Sequence, residues 1–317
     1  MTGKEGREKW TRMNERYSLR LADGQGWEIL AGEGMESWAR KLASIMRLNA
    51  CGPNGHAKLV FVRRGSEAGF PGESGWEPAW KIPGLPAAGW KPRNFKSLLI
   101  WTNRNGEDAV CELGDAGNHE MEITMMWQSL TPVYGRTLEK GGLPLHAALV
   151  ERNGAGVLLA AGGGTGKSTC CRRIPPPWKA LGDDLALAVE DPDGAYRVHP
   201  FPTWSDHLWR RAETTWEVER HLPLAAVVFL EQGAADRIVP VGKGEAAAGI
   251  LESALQVCQS FWRSFSVDDR RSLKEKAFHN ACGMAGSVPA FRLSATLDGC
   301  FWEELEKVKM LPGSSSR

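Results

Sequence analysis

The feature that most constrains this chain is an apolar run that leads into a glycine-rich turn at residues 156–169. The segment reads Gly-Val-Leu-Leu-Ala-Ala-Gly-Gly-Gly-Thr-Gly-Lys-Ser-Thr. The apolar part predicts a buried strand, the glycines predict a tight loop, and the last residues predict the first turn of a helix. Strand, loop and helix in this order are typical of sites that bind nucleotide phosphates. The alternative is a glycine-rich hairpin that carries a chance Lys-Ser pair.

Each residue type in the turn suits a triphosphate. Backbone N–H groups can surround phosphate oxygens only where no side chain intervenes, which explains the glycines. A lysine can reach the β- and γ-phosphates, and a serine hydroxyl can ligate Mg²⁺. The strict pattern begins with glycine, where this chain has Ala161. We predict binding of ATP and Mg²⁺ by Gly162, Gly163, Gly164, Thr165, Gly166, Lys167, Ser168 and Thr169.

Composition and charge limit the classes of protein to which this chain can belong. The 317 residues are 42% hydrophobic and 24% charged, with a net charge of +1. This balance is ordinary for a globular protein and gives no electrostatic support for a nucleic-acid or anionic-membrane partner. No apolar run approaches the roughly 20 residues that span a bilayer, and the N-terminus lacks the apolar segment of a signal peptide. We therefore expect a cytoplasmic protein without a membrane or nucleic-acid partner.

The cysteines give no sign of a metal site or of a disulfide framework. There are seven, Cys170 and Cys171 are adjacent, and no C-x-x-C motif occurs. Such spacing favours reduced thiols and predicts neither zinc nor a structural disulfide. A homo-oligomer is compatible with the sequence, which does not specify one.

The N-terminal part, residues 1–130, predicts a small α/β domain. Residues 17–21, 58–63, 97–102, 109–113 and 121–125 have strand character, and residues 35–48 predict an amphipathic helix. Residues 64–93 predict a long loop rich in glycine, proline and tryptophan. We expect its tryptophans, Trp76, Trp80 and Trp90, to act as exposed anchors for a substrate or partner. The alternative is that they pack at a domain boundary.

The C-terminal part, residues 131–317, contains every chemical motif. Asn153-Gly154 and Asp193-Gly194 predict tight hairpins, so the sheet is expected to be mixed or largely antiparallel, unlike the parallel sheets of ordinary P-loop enzymes. The helix after the loop must end before Pro175. Residues 178–184 predict a strand that ends in Asp183-Asp184, residues 224–230 a buried strand, and residues 246–265 a helix. Glu231, at the end of the buried strand, is either a strand-end charge or a counterpart of the acidic residue of motor ATPases.

This order of motifs resembles the catalytic domain of HPr kinase/phosphorylase and its relatives. The residues that carry the resemblance are His146, the hairpin, the phosphate loop, the short helix and Asp183-Asp184, within residues 140–300. The tryptophan-rich first half and the Gly-Asp-Asp sequence also resemble one branch of these relatives, the SynChlorMet cassette protein ScmC family. The resemblance implies the mixed α/β fold of phosphoenolpyruvate carboxykinases.

The resemblance also implies roles and partners. Lys167 would hold phosphates, Ser168 and Asp184 would hold magnesium, Asp183 would deprotonate an acceptor hydroxyl, and His146 would lie near the transferred phosphoryl group. Relatives in the ScmC branch accompany radical-SAM enzymes and a PqqD-like carrier in peptide-modification clusters. The Glu-x-Arg-Gly-x-Gly segment of the HPr enzymes is absent from this sequence, which counts against HPr as the substrate.

Two functions follow from the sequence. The first is a kinase that transfers the γ-phosphoryl group of ATP to a hydroxyl on a peptide or protein. The second is a nucleotide-binding module that holds a peptide without catalysis. Intact Lys167, Ser168, Asp183 and Asp184 favour the enzyme, because a pure binder needs no base.

Overall fold

The computed structural model describes residues 15–65, 77–104, 107–210 and 213–307 and has the predicted mixed α/β class. The chain divides into two compact units. The first comprises the described residues within Met1–Leu19, Gly26–Ser44 and Leu48–Pro132, and the second those within Arg20–Gln25, Ile45–Arg47 and Val133–Arg317.

The first unit is built on a six-stranded mixed sheet with the order β1-β2-β3-β6-β5-β4. Strands β2, β3 and β6 run parallel, whereas β4 and β5 are antiparallel to their neighbours. The elements are β1 Glu15–Arg20, β2 Gly26–Ala31, α1 Glu36–Ile45, β3 Ala57–Arg63, β4 Trp90–Asn94, β5 Leu98–Asn103, β6 Ala109–Leu113 and α2 His119–Ser129.

The strand predicted over residues 121–125 is wrong, because these residues are helical and belong to α2. The Asn118 side chain caps this helix by accepting the Met121 N–H at 2.9 Å. Glu120 and Glu122 place negative charge in the first turn, where the helix dipole favours it. The cap and these charges outweigh the short strand-like alternation of Met121, Ile123 and Met125.

Trp80 and Trp90 are not the exposed anchors that the sequence predicted. The Trp80 ring lies edge-on to Trp90 and Trp101, at centroid distances of 5.0 and 6.3 Å. Trp90 is buried, and Trp80 packs against the same apolar cluster on the sheet, with Leu30, Val60, Ile82 and Val110. Trp76 lies outside the described residues. Because the β4–β5 pairing places Trp90 opposite Asn103, this part of the predicted loop folds back onto the sheet.

The second unit is built on a nine-stranded sheet with the order β10-β8-β9-β13-β12-β11-β7, in which β15 pairs with β13 and β14. Its elements are α3 Thr131–Glu139, β7 Leu143–Leu145, β8 Ala147–Arg152, β9 Ala155–Ala160, α4 Lys167–Arg173, β10 Lys179–Gly182, β11 Leu185–Glu190, β12 Tyr196–Phe201, a π-helical turn Asp206–Arg210, β13 Leu222–Gln232, β14 Arg237–Pro240, α5 Lys243–Trp262, α6 Val267–Ser287, β15 Ala290–Ala295 and α7 Phe301–Lys307.

The predicted hairpins are confirmed, and they explain the mixed sheet. Asn153 and Gly154 both have positive φ angles, 53° and 78°, as a tight two-residue turn requires, and they join β8 to β9 antiparallel. The next neighbour of β9 is β13, which runs parallel to it. The glycine-rich loop therefore follows a central strand with one antiparallel and one parallel neighbour.

The connections bring several strand ends to one edge of this sheet. Strands β9, β13 and β15 run in the same direction, so their carboxyl ends share an edge. Strand β10 is antiparallel to β8, so its carboxyl end lies at this edge too, as does the amino end of β8. Below the edge, Val157, Leu159, Val228, Leu230 and Leu293 belong to one buried core that fixes the strands.

A buried histidine links three segments of the second unit. His199 on β12 is fully buried; its Nδ1 lies 2.7 Å from the Val218 carbonyl oxygen, and its Nε2 accepts the Ala22 N–H at 3.1 Å. The ring is therefore neutral, with its proton on Nδ1. Burial is the main cause that lowers the pKa of His199 from 6.5 to about 4, and the nearby His221 ring adds to the effect.

We expect this histidine to make the fold sensitive to acid. The unfolded chain takes up the imidazole proton near pH 6.5, whereas the folded chain resists it down to about pH 4. The contribution of His199 to the free energy of unfolding is therefore fully present above pH 6.5. It is lost as the pH falls through this window, by about 3 kcal/mol in total. Urea unfolding at pH 7.5 and 5.0 measures the effect, and His199→Asn should show a flatter dependence. Parallel pH profiles for the two proteins would contradict this assignment.

None of the helices in the described part of the chain combines the length and the apolar character needed to cross a membrane.

Candidate functional site

The glycine-rich loop joins β9 to α4 and lies at the shared sheet edge. Gly164 and Gly166 have φ angles of 77° and 117°, a region that other residues enter at a cost. A Cβ atom added to Gly163, Gly164 or Gly166 would meet no heavy atom within 4 Å. The loop thus has an open backbone surface, and the Thr165 hydroxyl steadies it by donating to the Gly162 carbonyl at 3.0 Å.

Lys167 spans the base of this loop. Its side chain is 6% exposed, and its ammonium donates to the carbonyls of Ala161 and Gly162 at 2.9 and 3.3 Å. Burial lowers the pKa of Lys167, while the charges of Asp184 and Asp183 oppose that shift. The loop cation and the two carboxylates therefore lie within electrostatic reach of one another, although they are distant in the sequence.

Ser168 and Thr169 occupy the first turn of α4 and are half-buried. The helix has seven residues, and its last backbone bond runs from Ile174 N–H to the Cys170 carbonyl. Pro175 follows at once and cannot continue the hydrogen-bond pattern, so the predicted short helix is confirmed.

Asp183 and Asp184 form the bend between β10 and β11, where the chain leaves one edge strand and enters another part of the sheet. Because the strand ends there, the two side chains need not point to opposite faces. Asp183 Oδ1 accepts the Thr203 hydroxyl at 2.8 Å. Asp184 Oδ1 lies 3.0 Å from His146 Nε2. The adjacent carboxylates thus have different partners, and each has a second oxygen outside these contacts.

His146 stands between β7 and β8, and helix α5 holds it. Its backbone N–H donates to the Ser253 carbonyl at 3.2 Å, and its own carbonyl accepts the Ser253 hydroxyl at 3.2 Å. The ring Nδ1 contacts the Gln256 Oε1. A line of contacts therefore runs from α5 through His146 to Asp184.

The structure brings together the loop, Lys167, the carboxylate pair and His146, all within the second unit. Sequence reasoning missed Thr203, Ser253 and Gln256, which hold these groups. Thr203 follows β12 and Gln256 lies mid-helix, and neither belongs to a motif that a single sequence could reveal.

The oxygen ligands suit magnesium better than zinc. Within the described residues, no three His, Cys, Asp or Glu side chains are grouped to hold a metal ion, and each described cysteine is a free thiol. Mg²⁺ needs fewer protein ligands, because one or two carboxylates, substrate phosphates and waters complete its octahedron. The Ser168 hydroxyl and the Asp184 carboxylate are oxygen donors of the kind that magnesium takes.

Comparison with known protein families identifies the family of this chain. The family model for the SynChlorMet cassette protein ScmC matches residues 109–310, well over half of the chain. The chain belongs to the ScmC family. The ScmC match includes the glycine-rich loop, His146, the carboxylate pair and their supporting residues, so the whole candidate site lies inside it. A search of the curated proteins finds no match. Of the two resemblances drawn from the sequence, the narrower one, to the ScmC family, is therefore confirmed.

Proposed function

We propose that this ScmC-family chain is an HPr-kinase-like phosphotransferase that moves the γ-phosphoryl group of Mg-ATP to a hydroxyl on a peptide or protein. The observation that carries the proposal is the approach of Lys167 to Asp183 and Asp184 beside an open glycine loop. Phosphoryl transfer depends on positioning and charge neutralisation, and it needs a cation, a metal ligand and a base in one place. The resemblance to HPr kinase and phosphoenolpyruvate carboxykinases supports the same function.

The contacts of the two carboxylates suggest a division of labour. Thr203 occupies one oxygen of Asp183, which leaves Oδ2 to accept the proton of an acceptor hydroxyl. His146 occupies one oxygen of Asp184, which leaves its Oδ2, with the Ser168 hydroxyl, for magnesium. Magnesium would neutralise phosphate charge when bound. Lys167 would exchange the carbonyls of Ala161 and Gly162 for phosphate oxygens.

The name of the family supports a setting for the reaction. A cassette protein acts beside other products of the same cassette, and the sequence resemblance suggests radical-SAM enzymes and a PqqD-like carrier as partners. The acceptor would then be the precursor peptide of a ribosomal-peptide pathway, handled in the cytoplasm.

The test is incubation of the full chain with γ-labelled ATP, Mg²⁺ and the small peptide encoded in the same cassette, followed by mass spectrometry. We expect a mass increase on a serine or threonine of the peptide. Magnesium-dependent ATP binding without phosphorylation of this peptide would favour the peptide-holding module instead. Absence of ATP binding at millimolar nucleotide would refute both functions.

A further inference from the structure

A cavity of about 460 Å³ opens beside the glycine-rich loop, on the side of the sheet edge that α5 covers. Its walls come from the carboxyl ends of β9 and β13, from α5 and from β15. Gly162 belongs both to this wall and to the loop, so a molecule in the cavity would reach the edge of the phosphate site. A crevice outside the carboxyl ends of parallel strands is the usual place for a ligand in α/β proteins.

The same cavity touches the residues that position His146. Ser253 and Gln256 line it, and both bond to His146, which in turn contacts Asp184. One wall of the cavity is thus shared with the contacts that lead to the carboxylate pair. This location suits the second substrate of a transfer reaction, whose reacting group must approach the γ-phosphate.

The charges of the lining side chains indicate the kind of occupant. Glu231, Glu245 and Glu252 oppose the single cation Arg292, so three negative charges and one positive charge leave an excess of two negative charges. Arg292 pairs with Glu245 and lies 3.8 Å from Glu231, which also accepts the Ser294 hydroxyl at 2.5 Å. Within the described residues, the Glu252 side chain makes no ion pair or hydrogen bond. This surplus disfavours a further anionic group and favours a cation.

A nucleoside base fits these walls less well. Among the described lining residues, the aromatic side chain is Phe229. Its ring packs against α5 at Gly249, where an added Cβ would lie 2.4 Å from the ring. The ring is half-buried, so among the described lining residues a base would meet one partly exposed ring and could not stack between two.

From this geometry we infer that the cavity binds a basic side chain, arginine or lysine, that lies near the phosphorylated hydroxyl of the acceptor peptide. The inference rests on the proposed phosphotransferase function and specifies its substrate class. Glu252, on α5, is the specificity residue, and Glu231, near the end of β13, adds to the negative charge of the cavity. The volume accommodates one long side chain and part of its backbone.

The test uses a degenerate peptide library with a central serine. Each flanking position is fixed in turn as arginine, alanine or glutamate, and phosphorylation with γ-labelled ATP is measured. Binding in the presence of a non-hydrolysable ATP analogue gives a readout that does not require turnover. We expect the wild-type chain to prefer arginine at one or two positions, with a KM about three- to tenfold lower than with alanine, as befits a partly exposed charge pair.

The matched variants are Glu252→Gln, in the cavity, and Glu275→Gln, on the exposed surface of α6. Glu252→Gln should remove the arginine preference and leave Mg-ATP affinity unchanged, whereas Glu275→Gln should change neither. A wild-type chain that binds ATP but ignores flanking charge would overturn the inference and leave the proposed function standing. Equal loss of ATP and peptide binding in Glu252→Gln would assign the cavity to the nucleotide. A wild-type chain that binds no ATP would refute the proposed function, and the inference with it.

Discussion

Asp183→Asn should reduce phosphoryl transfer about 100-fold or more while Mg-ATP still binds, because a positioned base contributes about 10²- to 10⁴-fold to such reactions. The amide keeps the shape of the carboxylate, and its Oδ1 can still accept the Thr203 hydroxyl. The loop and Lys167 are untouched, so calorimetry should give nearly the wild-type ATP affinity. Only acceptance of the hydroxyl proton is lost.

Two companion variants make this result specific. Asp184→Asn should weaken metal-dependent nucleotide binding, because we assign that carboxylate to magnesium. Asp193→Asn makes the same chemical change in an exposed hairpin turn and should leave binding and transfer unchanged. Full turnover in both Asp183→Asn and Asp184→Asn would show that the pair is only a structural bend. Thermal unfolding of each variant reveals any loss of fold.

The sequence predicted well where local rules act alone. The two positive φ angles of Asn153-Gly154 and the three prolines after α4 have short-range physical causes, and the elements they delimit are confirmed. The apolar run of β13 is long enough to mark a buried strand without knowledge of its neighbours. These elements were sufficient to predict a mixed or largely antiparallel sheet that carries the loop, whereas the central position of β9 is known from the structure.

Prediction from the sequence failed where tertiary contacts determine the secondary structure or the exposure of a residue. Helix α6 spans 21 residues, yet only Ala277, Ala281, Met284 and Ala285 are buried, so it lacks a broad apolar face and was not predicted. Strand β14 has four residues and depends on pairing with β15. The exposure of Trp80 and Trp90 was predicted wrongly because it depends on the sheet onto which residues 77–94 fold.

The candidate site shows the same difference between what local sequence predicts and what tertiary contacts determine. The loop and the carboxylates are visible in the sequence because they are contiguous, whereas their supports come from distant segments. Thr203 reaches Asp183 across 20 residues, and Gln256 reaches His146 across 110. A hydroxyl or an amide has no sequence signature of its own, so only the fold reveals that these two residues position charged groups.

Lys167→Met should weaken Mg-ATP binding by about 10- to 100-fold, the value of one or two charge-assisted hydrogen bonds. Methionine keeps most of the buried stem, so packing should survive. The free chain should be no less stable, because the pKa of Lys167 is lowered by burial and its cation is costly to hold there.

Lys179→Met, on the exposed face of β10, removes the same charge away from the loop and should leave affinity unchanged. Calorimetry with Mg-ATP and urea unfolding of all three proteins separate the two effects. Unchanged affinity in Lys167→Met would rule out this lysine as a phosphate ligand, and an equal loss in both variants would reduce its role to general electrostatic attraction.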